Sequence, residues 1–401
     1  AAGPGFAQLA GDICARLGRM DEALAHYDRA LARAQDPRQR AELHLARAHA
    51  YSGQLDTRAM RVEAAKAGHA ISVRFRKATP LAVVGTLIRW RWHKFINRFR
   101  GPLTDDNAKS RAYLAGVVHH RGLVAAHFSI DPLGVIMHAF AANTAMQRLG
   151  PSVELVQNRN LLSLLAGILK KPAIAQRLRS EILQMTEQLR DPTAAAKAAL
   201  FIGHTEHALG RTTEAERLMG DALRKAGHYL ENGEYLTGLA DHTWNLLMRG
   251  YVAEGIAWIE AGLARTSMVS SSANVTQGHT YRLYAGPLYA MAGDPARGRR
   301  HLEEYRETTA LTPDDRWRWG QYLAQQALFL YEQRDLGAGF EQALQAFAKA
   351  DIAKARTPLQ LGQLYLARGY ARVWQMQHAD GEVKHRAAAD AGAGGRARRA
   401  D

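Results

Sequence analysis

Apolar residues recur three and four positions apart through most of the chain, with polar residues between them. That spacing puts them on one face of an α-helix. Leu161, Leu164, Leu165 and Ile168 form one such face. No stretch alternates apolar and polar residues over successive short segments, as half-buried strands would. The helical windows break at isolated glycines and at Pro37, Pro80, Pro102, Pro151, Pro192 and Pro313. Proline has no amide hydrogen to continue a helix. The pattern predicts an all-α protein.

The windows recur in pairs with small residues at fixed offsets. In FIGHTEHALGRTTEAERLMGDALRKAG, Gly203 is followed by Gly210, Ala215 and Ala222. Near the start, Gly11, Gly18, Ala23 and Ala30 keep the same offsets, with Tyr27 between the last two. Later stretches supply Gly286, Tyr289 and Gly293, then Gly362, Tyr365 and Gly369. Two antiparallel helices approach closely only where side chains are small, and a glycine closing the first helix supplies a left-handed turn. Gly203 and Ala222 are therefore expected at close helix contacts.

These residues resemble the tetratricopeptide repeat, a helix-turn-helix unit of 34 residues. The likeness is partial at Ala46 to Ala65, where Arg58 replaces a small residue, and at Thr243 to Gly262, where Gly250, Gly255 and Gly262 fit. It is degenerate at Gln321 to Ala346, where Arg334 stands at the turn glycine. The resemblance implies an α-solenoid of hairpins curling into a superhelix with a concave groove, and a non-catalytic scaffold that binds a protein or peptide there. Groove positions carried over from the repeat are Asp12, Arg16, His204, His207, Trp244, Met248, Leu283 and Met291.

Composition changes this picture in one place. Lys and Arg number 53 against 38 Asp and Glu, a formal charge of +15. Between Ala64 and Thr104 lie Lys66, Arg74, Arg76, Lys77, Arg89, Arg91, Lys94, Arg98 and Arg100, with no acidic residue. Read as a helix, this segment aligns Val84, Ile88, Trp92, Phe95 and Phe99 in one stripe, with the basic patch Arg89, Arg91, Lys94, Arg98 and Arg100 around it. Three uses are open: docking the stripe on the repeats, lying on an anionic membrane, or gripping a nucleic-acid backbone. Docking is expected, because five apolar residues in one stripe suit a helix packed on its own array. The organisation expected is N-terminal repeats over 1–70, a basic aromatic linker helix over 71–107, repeats over 108–378, and an Ala/Gly/Arg-rich disordered tail over 379–401.

Candidate chemistry is sparse. A single cysteine, Cys14, excludes internal disulfides and multi-cysteine zinc sites. It reads as a small buried residue at a packing position. No phosphate-binding loop, Gly-x-Ser-x-Gly elbow or His-Glu-x-x-His pair occurs, so neither catalysis nor a cofactor is expected. His204 and His207 share a helix face, whereas the adjacent His119 and His120 point to different faces and form no chelate; His127 and His138 are read in the same way. They read as polar surface rather than as metal ligands, since no third ligand is placed. No apolar run is long enough to cross a membrane. A cytoplasmic protein with a protein or peptide partner and no nucleic-acid partner is expected, with peripheral membrane contact as the further option. A second, looser resemblance starts from DPLGVIMHAFAANTAMQRLGPSVELV. It is similar to the C-terminal half of large bacterial signalling ATPases, and implies a regulatory region whose catalytic module lies N-terminal to Ala1.

Overall fold

The computed structural model describes residues 4–267, 279–350 and 362–378. They form eighteen α-helices, one short 3-10 turn and no strand. The helices come mostly as antiparallel pairs: α1 (Pro4–Arg16) with α2 (Met20–Leu31), and α3 (Pro37–Gln54) with α4 (Thr57–Ala70). A single helix, α5 (Pro80–Ile96), follows. Next come α6 (Asp106–Phe128) with α7 (Pro132–Met146), α8 (Val153–Ile168) with α9 (Pro172–Leu189), and α10 (Pro192–Ala208) with α11 (Thr212–Ala226). The remainder are α12 (Asn232–Arg249), α13 (Val252–Ser267), α14 (Tyr281–Met291), α15 (Pro295–Thr308), α16 (Arg316–Glu332), α17 (Ala338–Lys349) and α18 (Gly362–His378).

Helix starts follow from local chemistry. Asp36, Asp131, Asp191 and Asp294 each precede a proline. Each aspartate accepts a backbone amide of its helix's first turn, and each proline fills a position whose amide hydrogen has no helical partner. Asp56, Thr79, Asp105, Ser152 and Asp315 cap α4, α5, α6, α8 and α16 in the same way.

The chain packs as two units. Unit 1 comprises Ala1–Asn245 with Glu260–Tyr281, and unit 2 comprises Leu246–Ile259 with Arg282–Asp401. In unit 1 the hairpins stack in sequence order, as in an α-solenoid. First helices lie beside first helices (α1 on α3, α3 on α6, α8 on α10), and α2, α4, α7 and α9 each pack on the hairpin that follows. In unit 2, α15 packs on α16, and α16 packs on both α17 and α18.

The ladder of small residues has the expected packing role. A side chain on Gly203 would lie 2.5 Å from Met219 Cγ, and Ala222 is buried. Gly18, Gly210, Gly250 and Gly293 take left-handed backbone angles between helices of a pair. Where the repeat looked degenerate the turn survives without glycine, with Arg334 in the left-handed region, and Leu55, Ile130 and Lys170 adopt the same angles between other helices. Cys14 is buried beside Tyr27 and Met20 in the first hairpin's core. The predicted tail over 379–401 lies outside the described residues.

The basic helix departs from expectation. α5 packs on α7, but on the side where Val83 is buried and Leu87 and Trp90 are half-buried. The Trp90 ring meets Phe140 edge-on at 4.8 Å, and Asn97 Nδ2 donates to Gln147 Oε1 at 2.9 Å. The stripe of Val84, Ile88, Trp92, Phe95 and Phe99 faces solvent instead. The physical reason is rotational. At about 100° per residue, Trp90 and Val83 lie nearly opposite Trp92, and one helix side cannot serve both contacts.

Candidate binding site

In unit 1 the helices α3, α6, α10 and α12 bring a set of polar side chains to one wall. Tyr113, His120 and His127 are seven residues apart on α6, so they share one face of that helix. On α10 and α12 the pairs Lys197–Glu234 and His204–Asp241 are each separated by 37 residues. Lys197 Nζ lies 2.5 Å from Glu234 Oε1, and His204 Nδ1 lies 3.0 Å from Asp241 Oδ2. One step further along, His207 Nδ1 meets Asn245 Oδ1 at 2.5 Å. From α3, His49 Nε2 reaches Glu231 Oε2 at 3.2 Å, just before α12.

Electrostatics divide these groups. Burial outweighs everything else at His120 and His127, pulling them down to about 3 and about 4, so both are neutral near pH 7. At His204 burial also opposes charge, but the Asp241 carboxylate prevails and its pKa is raised. Hydrogen bonding to His49, against the pull of burial, holds Glu231 at about 2, with help from Lys197 and Arg121.

Arg121 stands apart. Its Nε is buried without a hydrogen-bond partner, and it makes no ion pair among the described residues. Burial lowers its pKa, while Glu231, Tyr113, Glu154 and Glu234 act on it only through space. Nearby on α8, Asn158, Asn160 and Ser163 are enclosed with side-chain atoms that no protein group satisfies. Tyr113 Oη also donates to Glu154 Oε1 at 2.9 Å and borders an open cleft of about 280 Å³ lined by Arg38, Glu42, Lys109 and Ser152.

Within unit 1 the groove residues carried over from the repeat do not converge. His204 is on the wall. His207 and Trp244 are buried behind it, with rings 4.1 Å apart. His207 is an interior group and not the polar surface that helix position implied, because α12 covers that side of α10. Asp12 accepts a hydrogen bond from Tyr27 Oη at 2.8 Å within the first hairpin, and Arg16 is exposed at the end of α1. Met248, Leu283 and Met291 belong to unit 2. There the Met248 sulfur accepts from Gln363 Nε2 at 3.1 Å, Leu283 is a fully buried core residue, and Met291 is exposed. The residues that sequence reasoning missed are His49, Arg121, Lys197, Glu231 and Asp241. A usable signal was present: Lys197–Glu234 and His204–Asp241 are opposite charges one repeat apart.

His119, His120, His127 and His138 are also interior. His119 Nδ1 and His138 Nδ1 are 3.3 Å apart, and Phe75 stacks on His138 at 4.7 Å. Among the described residues no group of three His, Cys, Asp or Glu side chains is placed to hold a metal ion, and no helix is long and apolar enough to cross a membrane. The basic patch Arg89, Arg91, Lys94, Arg98 and Arg100 is exposed on and just beyond α5.

Among known proteins, no family model matches the chain, and no curated protein matches it. A solved structure that it resembles is that of a Rap protein complexed with Competence and Sporulation Factor. The likeness has a TM-score of 0.49 at 11% identity, over 87% of this chain and 94% of that one.

Chemically, the wall offers hydrogen-bond donors and acceptors in a desolvated setting, with most charges already neutralised in pairs. Neutral imidazoles and amides of this kind suit the alternating N–H and C=O groups of a polypeptide.

Proposed function

We propose that unit 1 is a binding scaffold for an extended polypeptide segment, held along the wall of α6, α10 and α12. Arg121 takes a carboxylate or carbonyl of that segment. The observation that carries this reading is the Arg121 Nε, buried without a hydrogen-bond partner on a side chain that makes no ion pair among the described residues. A buried charge without a partner is expensive for the fold alone and becomes useful when a ligand brings the acceptor. The arrangement fits the tetratricopeptide-like role of binding protein segments without catalysis.

The test is selection of peptides from a random display library on the purified protein, followed by anisotropy titration of the selected sequences. A hydrogen bond to a charged group contributes about 1.5–3 kcal/mol. Arg121→Gln therefore weakens binding by about tenfold or more while leaving the melting temperature unchanged or higher. Wild-type affinity in Arg121→Gln, or failure to select any peptide, overturns the reading.

A further inference from the structure

We propose that the outward face of α5 is a docking surface for an anionic lipid bilayer, with the helix lying in the interface plane. The argument begins with what the fold does to this helix. The side bearing Val83 and Trp90 is fixed on α7, where Trp90 meets Phe140 and Val83 is buried. The segment that follows is tied down as well: Leu103 N donates to Arg148 O at 2.9 Å, and Arg148 Nε donates to Gly101 O at 3.1 Å. The opposite side is thereby held outward as a rigid face.

That face is apolar. Leu81, Val84, Ile88, Trp92, Phe95 and Phe99 are between 53% and 85% exposed. Their rings run as one ridge, with Trp92 and Phe95 centroids 6.3 Å apart and Phe95 and Phe99 centroids 5.5 Å apart. Scattered exposed apolar residues need no explanation, but a contiguous ridge of large ones marks an interaction site.

The occupant follows from charge. At about 100° per residue, Arg89 falls on one flank of the ridge and Arg91 on the other, while Arg98 and Arg100 prolong the two flanks past the last helical turn. No acidic residue occurs between Ala64 and Thr104. A protein partner is met by exposed charges of both signs or by a neutral rim; an apolar ridge of Trp, Phe and Leu between two rows of arginine matches headgroup phosphates above buried acyl chains. Tryptophan and arginine also suit that boundary, one through its amphipathic ring and the other through a long stem with a charged head.

The experiment is co-sedimentation of the full chain with phosphatidylcholine vesicles with and without phosphatidylglycerol, alongside thermal melts. The wild type is expected to bind only the anionic vesicles, and less well as salt rises. Trp92→Ser with Phe95→Ser lowers binding at least tenfold. Arg91→Gln with Arg98→Gln lowers it roughly fivefold per arginine removed. Neither pair moves the melting temperature, since all four side chains are exposed. Arg224→Gln with Lys225→Gln, on α11, removes equal charge elsewhere and leaves binding intact. The proposal is overturned if the wild type ignores anionic vesicles, or if the α5 and α11 variants lose binding equally. It is also overturned if the ridge variant changes only self-association, or if the arginine variant loses only oligonucleotide binding.

Discussion

Lowering the pH from 7.5 to 5 is expected to unfold unit 1. Six histidines there have pKa values pulled down chiefly by burial: His120 and His138 to about 3, and His119, His127, His207 and His242 to about 4. An unfolded chain protonates each near 6.5. A group whose folded pKa is depressed leaves stability intact above the unfolded value and removes it as pH falls below. At pH 5 the unfolded state has taken up nearly six protons that the folded state refuses, which amounts to about 10 kcal/mol. His204 works in the opposite direction, since its pKa is raised, but it is one against six. Glu63 and Glu231, both held at about 2, weaken the fold only below about 4.5, so the window between 6.5 and 5 belongs to the histidines. A stability of 5–15 kcal/mol is usual for a domain, so a loss of about 10 kcal/mol removes most or all of it across this window. Far-UV circular dichroism melts at constant ionic strength measure it. His138→Phe, which keeps a ring against Phe75, removes one proton from the uptake and makes the decline shallower. A melting temperature that is flat from pH 7.5 to 5 refutes the reasoning.

Two further outcomes test the hairpin geometry. In Gly298→Ala the new carbon lies 2.5 Å from the Gly286 carbonyl oxygen, a backbone atom that cannot swing away. The variant should lose about 1–3 kcal/mol, whereas Gly369→Ala, in open space on α18, should gain about 0.5–1 kcal/mol; urea titration of both separates close packing from propensity. Arg334→Gly relieves a left-handed turn with φ of 59° and should stabilise unit 2 by about 1 kcal/mol, and an unchanged or lower urea midpoint contradicts that.

Helix class and hairpin pairing were legible because they depend on periodicity and on small residues, which a single sequence displays. The hairpin of α8 and α9 was less so, because Lys170 makes a turn that glycine would have advertised. The face of α5 was misread for a different reason. Its stripe is the more hydrophobic side, and amphipathicity alone assigns that side to the core. Trp90 and Val83 dock instead because α7 offers Phe140 to meet an aromatic ring, a fact about a neighbour and not about the helix. The wall escaped for the same reason. Whether His204 faces water or Asp241 depends on the register between α10 and α12, and only the recurrence of opposite charges 37 residues apart hints at it.

The wall's instability and its proposed use are two views of one arrangement. A buried polar group without a partner costs about 1–3 kcal/mol, and Arg121, Asn158, Asn160 and Ser163 all carry such atoms. A ligand that binds only the folded state adds about 2.7 kcal/mol of stability at a hundredfold excess over its Kd, comparable to satisfying one or two of these atoms. Peptide and acid therefore act in opposition on the same histidines. A segment seated against His120 and His127 keeps them neutral and desolvated, so the proton uptake that drives unfolding must await its release. A bound peptide should shift the acid transition of unit 1 to lower pH, and Arg121→Gln, which weakens its grip, should return the transition toward that of the free protein. A ligand that leaves the acid transition in place while binding tightly sits elsewhere than on this wall.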